Sequence, residues 1–228
     1  MKTYDVFLID ADGTLYDFDT AEANALNMVF DKYGFVYSDN FLLTYREISA
    51  QLWTEFEKGE ISINSLQALR FSRLFEELDI TGDASEFNQD YLIELGKGIF
   101  LKDFALDICK ELNAKGKKIY IVTNGIYKVQ KPRITNSPLN EYISDCFVSE
   151  LIGHQKPSTE YFDHVFFHIQ AVEKDKTILI GDSLTADIAG GNNAGIDTCW
   201  YNDKKANNQT GIKPTYVINH LSELRLFI

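Results

Sequence analysis

The sequence predicts an α/β protein in which a parallel sheet is covered by helices on both faces and is interrupted, after its first strand, by an inserted block of helices. Three features predict it. Short, near-continuous apolar runs recur, as in Phe7-Leu8-Ile9, Ile119-Tyr120-Ile121-Val122 and Ile178-Leu179-Ile180. From residue 103 onward these runs alternate with segments of helical period. Residues 18–97, by contrast, carry helical periodicity throughout. Strands apolar on both faces belong to sheets buried on both sides, and parallel neighbours need a crossover, most often a helix.

Residues 4–10 read as a short buried strand ending in an acid, followed by a glycine-containing turn. The next element is expected to be a helix from Thr20 to Tyr33, with Ala21, Ala25, Met28 and Val29 on one face. Further helices are expected over 41–57, 63–78 and 86–97, punctuated by Gly34, Gly59 and Gly82. A helix over 103–115 stops at Gly116, a strand follows at 118–123, and another helix starts near 126. Residues 145–148 read as a short strand and 158–170 as a helix, with Pro157 suited to its first turn. A strand at 177–181, a helix at 184–194 and a strand at 197–201 come next, with Gly190, Gly191 and Gly195 allowing that helix to pack tightly on the sheet. Residues 215–218 read as an edge strand before a short final helix. The expected division is a core of residues 1–17 and 98–228 and a helical cap of residues 18–97.

A chain of 228 residues is enough for one good-sized domain, or for a domain of ~150 residues carrying a smaller insertion. Its 12 tyrosines and 16 phenylalanines supply large apolar surface for a core. The net charge of −12 argues against a broad basic face for a nucleic-acid polymer. Handling an anionic substrate then requires local positive charge, from a metal ion and a few placed lysines. No apolar run approaches the ~20 residues of a membrane span. The segment Met1–Asp5 carries an acid early and lacks the pattern of a signal peptide. Cys109, Cys146 and Cys199 are few, odd in number and widely spaced, as expected of buried thiols in a cytoplasmic protein.

Three strands end in polar residues followed directly by turns: Asp10-Ala11-Asp12-Gly13-Thr14, Thr123-Asn124-Gly125, and Gly181-Asp182-Ser183-Leu184-Thr185-Ala186-Asp187. Open parallel sheets bind ligands outside the carboxyl ends of their strands, where these clusters would meet if the strands are neighbours. A lone D-x-D at a strand end is often only an Asx turn. Here two acids two residues apart close a buried strand, a costly arrangement unless a cation or a proton neutralises it. Mg²⁺ takes such oxygens and suits phosphate substrates. Thr123-Asn124-Gly125 is a common turn taken alone, but a hydroxyl and backbone N–H groups at a helix start suit a phosphate. Lys156-Pro157, before a helix, is a fourth element. His164 and His168 have the i, i+4 spacing of zinc ligands, yet no Glu follows the first and Val165-Phe166-Phe167 reads as a packed helix, so no zinc site is expected.

These four elements, in this order, resemble the haloacid dehalogenase-like hydrolase superfamily: Asp10-x-Asp12-Gly13-Thr14, Thr123-Asn124, Lys156-Pro157, and Gly181-Asp182-Ser183 with Asp187. The resemblance implies a Rossmann-like core with an inserted helical cap and assigns roles. Asp10 is the nucleophile that forms an aspartyl-phosphate. Asp12 is the general acid and then the general base. Asp10, the Asp12 carbonyl and Asp182 hold Mg²⁺. Thr123, Asn124 and Lys156 bind the phosphoryl oxygens, and Asp187 supports Lys156 or the metal's water shell. The dehalogenases of the superfamily lack the acid at the position of Asp12, so its presence favours phosphoryl transfer. A closer resemblance, to the YjjG-like pyrimidine 5′-nucleotidase subgroup, rests on Leu52-Trp53-x-x-Phe56-Glu57, Leu69-Arg70-Phe71, Gln130, Arg133, Ser137-Pro138-Leu139 and Val148-Ser149-Glu150. Pro132 sits awkwardly inside the helix that carries Gln130 and Arg133.

The resemblance thus implies a Mg²⁺-dependent phosphatase of a small phosphate ester, with pyrimidine nucleoside monophosphates as its substrates. Phosphoglycolate, a sugar phosphate or a phosphomutase reaction are the alternatives within the fold. A receiver-like phospho-acceptor domain is the alternative outside catalysis, but it is shorter and has no use for the second acid. Phe18, Tyr45, Trp53, Phe56, Phe71 and Phe75 either stack on a base or form the cap's own core.

Overall fold

A computed structural model of the protein describes residues 2–35, 38–169 and 173–228. Six strands, β1 (Val6–Ile9), β2 (Lys118–Thr123), β3 (Asp145–Val148), β4 (Thr177–Gly181), β5 (Asp197–Tyr201) and β6 (Tyr216–Ile218), form one parallel sheet in the order β3-β2-β1-β4-β5-β6. β1 and β4 are buried along their whole length, which is why their sequences are apolar without alternation. β3 and β6 are the two edges, and Val217 of β6 is exposed. The chain starts in the middle of the sheet, builds outward through β2 and β3, then returns to the other side of β1 for β4. The crevice at this reversal is where such sheets bind ligands. Ile9 is in register with Ile121 on one side and Ile180 on the other, so Asp10 stands level with Val122 and Gly181.

The chain divides into two compact units: Met1–Phe18, Phe100–Tyr127 and Ile134–Ile228 in the first, Asp19–Ile99 and Lys128–Arg133 in the second. The first unit holds the sheet and α5 to α9, of which α5 is Ala105–Ala114, α6 Tyr127–Asn136, α7 Ser149–Ile152, α8 Thr159–Ile169 and α9 Ala189–Ala194. Lys128–Arg133, the middle of α6, groups with the second unit. α6 runs through Pro132 without breaking. Gln170, the expected end of α8, lies outside the described residues. Where the sequence predicts one helix over 184–194, a wide π turn at Leu184–Ile188 precedes α9. Ser183 caps that turn by accepting from the Ala186 N–H at 3.1 Å. The final helix is of 3₁₀ type, Leu221–Phe227. Cys109 and Cys199 are buried thiols, whereas Cys146 is half-buried.

A Cβ on Gly190 would stand 2.6 Å from the Phe162 ring, and one on Gly191 2.4 Å from Thr198 Cγ2. Gly195 differs: nothing lies near it, and its φ of +72° ends α9 in the left-handed region. Gly191→Ala is therefore expected to strain the contact of α9 with β5 and cost ~1–3 kcal/mol. Thermal unfolding is the check, and an unchanged Tm would show that the contact yields freely.

The second unit is built from α1 (Phe18–Tyr33), α2 (Asp39–Glu57), α3 (Ile63–Glu77) and α4 (Ala84–Lys97). Ser38, Ser62 and Asp83 cap the last three by accepting first-turn N–H groups. The buried stripe of α1 runs through Ala21, Ala25 and Val29 together with Leu26 and Phe30. Met28, expected on that face, is 57% exposed because it falls outside the paired i, i+4 rows. Tyr45, Phe56, Phe71 and Phe75 are buried, and the Tyr45 and Phe71 rings stack on each other at 5.3 Å. These four aromatics pack the unit's own core and leave no face for a base. Trp53 is half-buried beside the cluster of Leu52, Phe56 and Leu66. Arg70 is buried among them, donating from Nε to Asn88 Oδ1 at 2.8 Å with its guanidinium over the Tyr91 ring. Among the described residues no helix is long and apolar enough to cross a membrane.

Within the first unit, the chain leaves and returns along one short stem. Tyr16 bridges Leu101 in antiparallel fashion, the Asp17 N–H donates to the Phe100 carbonyl at 2.8 Å, and the Lys102 N–H donates to the Leu15 carbonyl at 3.0 Å.

Candidate active site

β1 hands the chain directly to the site. The Asp10 N–H continues the ladder to the Ile180 carbonyl at 2.9 Å, so the residue is fixed by the sheet itself. The chain then turns tightly. The Leu15 and Tyr16 N–H groups both donate to the Ala11 carbonyl, and Gly13 adopts a φ of +85°. That glycine also clears space, because a Cβ there would lie 2.3 Å from Asp182 Oδ2. Gly181 does the same for the other acid, since its Cβ would lie 2.2 Å from Asp187 Cγ. Two glycines thus admit two carboxylates to one small volume. Asp10, Asp182 and Asp187 each bring one oxygen within 4.8 Å of the others.

Lys156 stands among them. Its side chain is buried, and Nζ donates to Asp10 Oδ1 at 2.7 Å, Asp187 Oδ1 at 2.6 Å and the Val122 carbonyl at 2.8 Å. An ammonium has three N–H donors, and all three are used. Burial alone would lower the Lys156 pKa, but the charges of Asp10 and Asp187 outweigh it and hold the amine above the usual lysine range. Burial pushes the Asp10 carboxyl up; Lys156 pulls it down, Asp187 and Asp182 push it up again, and the net direction is upward. Asp182 is pushed up to about 7, first by the desolvation of its carboxyl and then by the charge of Asp187. Asp182 is also the exposed member of the three, and the solvent reaching it screens part of that rise.

Three carboxylates against one ammonium leave a double negative charge when all are ionised. An all-oxygen donor set with that excess fits a hard divalent cation. Asp12, half-buried in the turn, is not one of the three converging acids. Asp187, expected in a supporting role, is bound both to Lys156 and to the Ser183 N–H at 3.1 Å.

Thr123 closes β2, is buried, and accepts from the Gly125 N–H at 3.0 Å. Asn124, expected on the phosphoryl oxygens, bonds through its carboxamide to Lys156: Oδ1 accepts from the Lys156 N–H and Nδ2 donates to the Lys156 carbonyl, both at 2.9 Å. One contributor was not foreseen. The Trp200 indole on β5 donates to the Asp182 carbonyl at 2.9 Å, bracing the backbone of that acid. Nothing local in the sequence marks Trp200 except its position near a strand end.

A family model described as haloacid dehalogenase-like hydrolase matches residues 4–195. The crystal structure of the HAD-hydrolase YfnB from Bacillus subtilis, bound to magnesium, is similar with a TM-score of 0.93 at 40% identity, covering 99% of this chain and 98% of that one. Pyrimidine 5′-nucleotidase PynA of Streptococcus pneumoniae is 37% identical over 221 residues, 97% of this chain and 93% of PynA. Pyrimidine 5′-nucleotidase YjjG of Escherichia coli is 28% identical over 221 residues, 97% of this chain and 96% of YjjG. With the strand-end acids, the buried lysine and the family model in agreement over most of its length, the chain belongs to the haloacid dehalogenase-like hydrolase family.

Proposed function

We propose that this hydrolase is a Mg²⁺-dependent phosphatase that takes a phosphoryl group onto Asp10, and that its substrates are pyrimidine nucleoside 5′-monophosphates. The observation that carries the chemistry is the convergence of Asp10, Asp182 and Asp187 around one saturated ammonium at the end of β1.

In this reading an Asp10 oxygen attacks phosphorus, the bond to the leaving oxygen breaks, and Asp12 gives that oxygen its proton. Asp12, now a base, takes a proton from water. The water oxygen attacks the same phosphorus, the bond to Asp10 breaks, and inorganic phosphate leaves. Lys156 orients Asp10 and offsets part of the burial that disfavours its charge. Thr123, whose hydroxyl keeps its own hydrogen while accepting from the Gly125 N–H, would donate to a phosphoryl oxygen. Asp10, Asp182 and the Asp12 carbonyl would hold Mg²⁺, which supplies neutralising charge where an anionic nucleophile meets an anionic ester. A receiver-like phospho-acceptor role fits less well, because it requires neither the acid at Asp12 nor an insertion as long as residues 18–97.

The substrate class rests on similarity to PynA and YjjG across 97% of this chain, the second unit included. It does not rest on base stacking by the four aromatics that the core consumes.

Activity on an aryl phosphate is expected to vanish in EDTA and to return with Mg²⁺. Full activity in EDTA would remove the mechanism. Steady-state kcat/KM for UMP, dUMP, dTMP, AMP, phosphoglycolate and glucose 6-phosphate tests the substrate class. The pyrimidine nucleotides are expected to lead; a lead for phosphoglycolate or the sugar phosphate would defeat the nucleotidase reading and leave the phosphatase standing.

A further inference from the structure

We infer that Asn124 is a positioning residue that acts through Lys156 and does not touch the transferring phosphoryl group; this rests on the reading of Asp10 as nucleophile. A carboxamide offers one acceptor oxygen and one NH₂ donor group. In Asn124 both ends engage a single residue 32 positions away: Oδ1 takes the Lys156 N–H and Nδ2 gives a proton to the Lys156 carbonyl. Two parallel bonds to one residue fix its rotation as well as its position.

The other end of Lys156 is held from the same strand. Nζ donates to the carbonyl of Val122, two residues before Asn124. β2 therefore grips Lys156 at its backbone and at its tip, and the remaining two N–H bonds reach Asp10 and Asp187. A lysine carries four rotatable bonds and loses considerable freedom when held in one rotamer. Here the strand that follows β1 in the chain does the holding, and Asn124 is its backbone half.

Without the carboxamide, the Lys156 backbone is free to shift while the ammonium keeps its charge. A displacement of about 1 Å at a reacting group costs on the order of 10²-fold in rate. The loss should fall on kcat, since the phosphoryl group has lost no direct contact.

The test is a double-mutant cycle on an aryl phosphate with Mg²⁺, using wild type, Asn124→Ala, Lys156→Met and the double variant, with Asn124→Ser as a second probe of the same site. Asn124→Ala is expected to lower kcat ~100-fold while KM and the inhibition constant for inorganic phosphate move less than about threefold. In the Lys156→Met background the same change is expected to cost less than about threefold, because the backbone is still held but the ammonium it positions is gone. Asn124→Ser, whose hydroxyl stops about one bond short of either carboxamide atom, should fall at or near Asn124→Ala. Thermal unfolding of each variant confirms that it is folded. Additive losses, or a rise in KM and the phosphate inhibition constant matching the fall in kcat, would overturn the inference and restore Asn124 to direct phosphate contact. If wild type shows no Mg²⁺-dependent turnover, the underlying function falls and this inference with it.

Discussion

Asp10→Asn is expected to lower turnover of an aryl phosphate by ~10³-fold or more while leaving the fold intact. The amide keeps the shape of the acid, and its oxygen still accepts from Lys156, but it carries no charge with which to attack phosphorus. The stability of the variant is as informative as its rate. Burial and the neighbouring acids raise the pKa of Asp10, which means its charge is unwelcome in the metal-free protein. Metal-free Asp10→Asn should therefore melt at or above the wild-type temperature, and the stabilisation that Mg²⁺ gives wild type should largely disappear. Steady-state kinetics and thermal unfolding with and without Mg²⁺ check both halves. Near-normal turnover would exclude a covalent route through Asp10, and acid-quenched wild type should carry phosphate on this residue.

The second large effect is expected at Lys156. Lys156→Met preserves volume but removes all three bonds of the ammonium and leaves Asp10 facing Asp187 across a buried gap. Breaking a buried ion pair by deleting one partner typically costs ~3–5 kcal/mol. At roughly 2–4 °C per kcal/mol for a chain of this size, Tm should fall by ~6–20 °C. Asp10 can take up a proton and soften the loss, which places the fall toward the lower end. A Tm within about 2 °C of wild type, which is less than ~1 kcal/mol, would show that the acids never needed the ammonium.

Much of this was readable from the chain alone. β1, β2 and β4 announce themselves because strands buried on both faces must be apolar without a break, and each hands over to a polar turn at its carboxyl end. Asp10 and Asp182 were visible because each directly follows such a strand, and Asp187 because it lies in the turn that comes next. What stayed hidden has a physical reason in each case. The bonds from Asn124 to Lys156 and from Trp200 to Asp182 join residues far apart in sequence, and no local pattern encodes them. The π turn at Leu184–Ile188 carries the Asp187 carboxylate against Gly181, a tertiary contact that helical period does not announce. Met28 was misplaced because period alone does not say how wide the buried stripe of α1 is. The aromatics of residues 18–97 read first as a core and second as a platform for a base, and burial decides for the core at Tyr45, Phe56, Phe71 and Phe75.

The antiparallel contact of Leu15–Asp17 with Phe100–Lys102 has a consequence for how such a chain can change. Because the exit and the re-entry are bonded side by side, the catalytic half is sealed before the intervening residues are counted. The entropy of closing that loop grows only with the logarithm of its length, about 0.6 kcal/mol per doubling. The segment between the two ends works as a cassette. It can be lengthened, trimmed or exchanged with little effect on the closure of the sheet, while the acid at the end of β1 remains a few residues from the graft. Changes confined to the cassette leave the strand-end residues of the first unit where the sheet holds them.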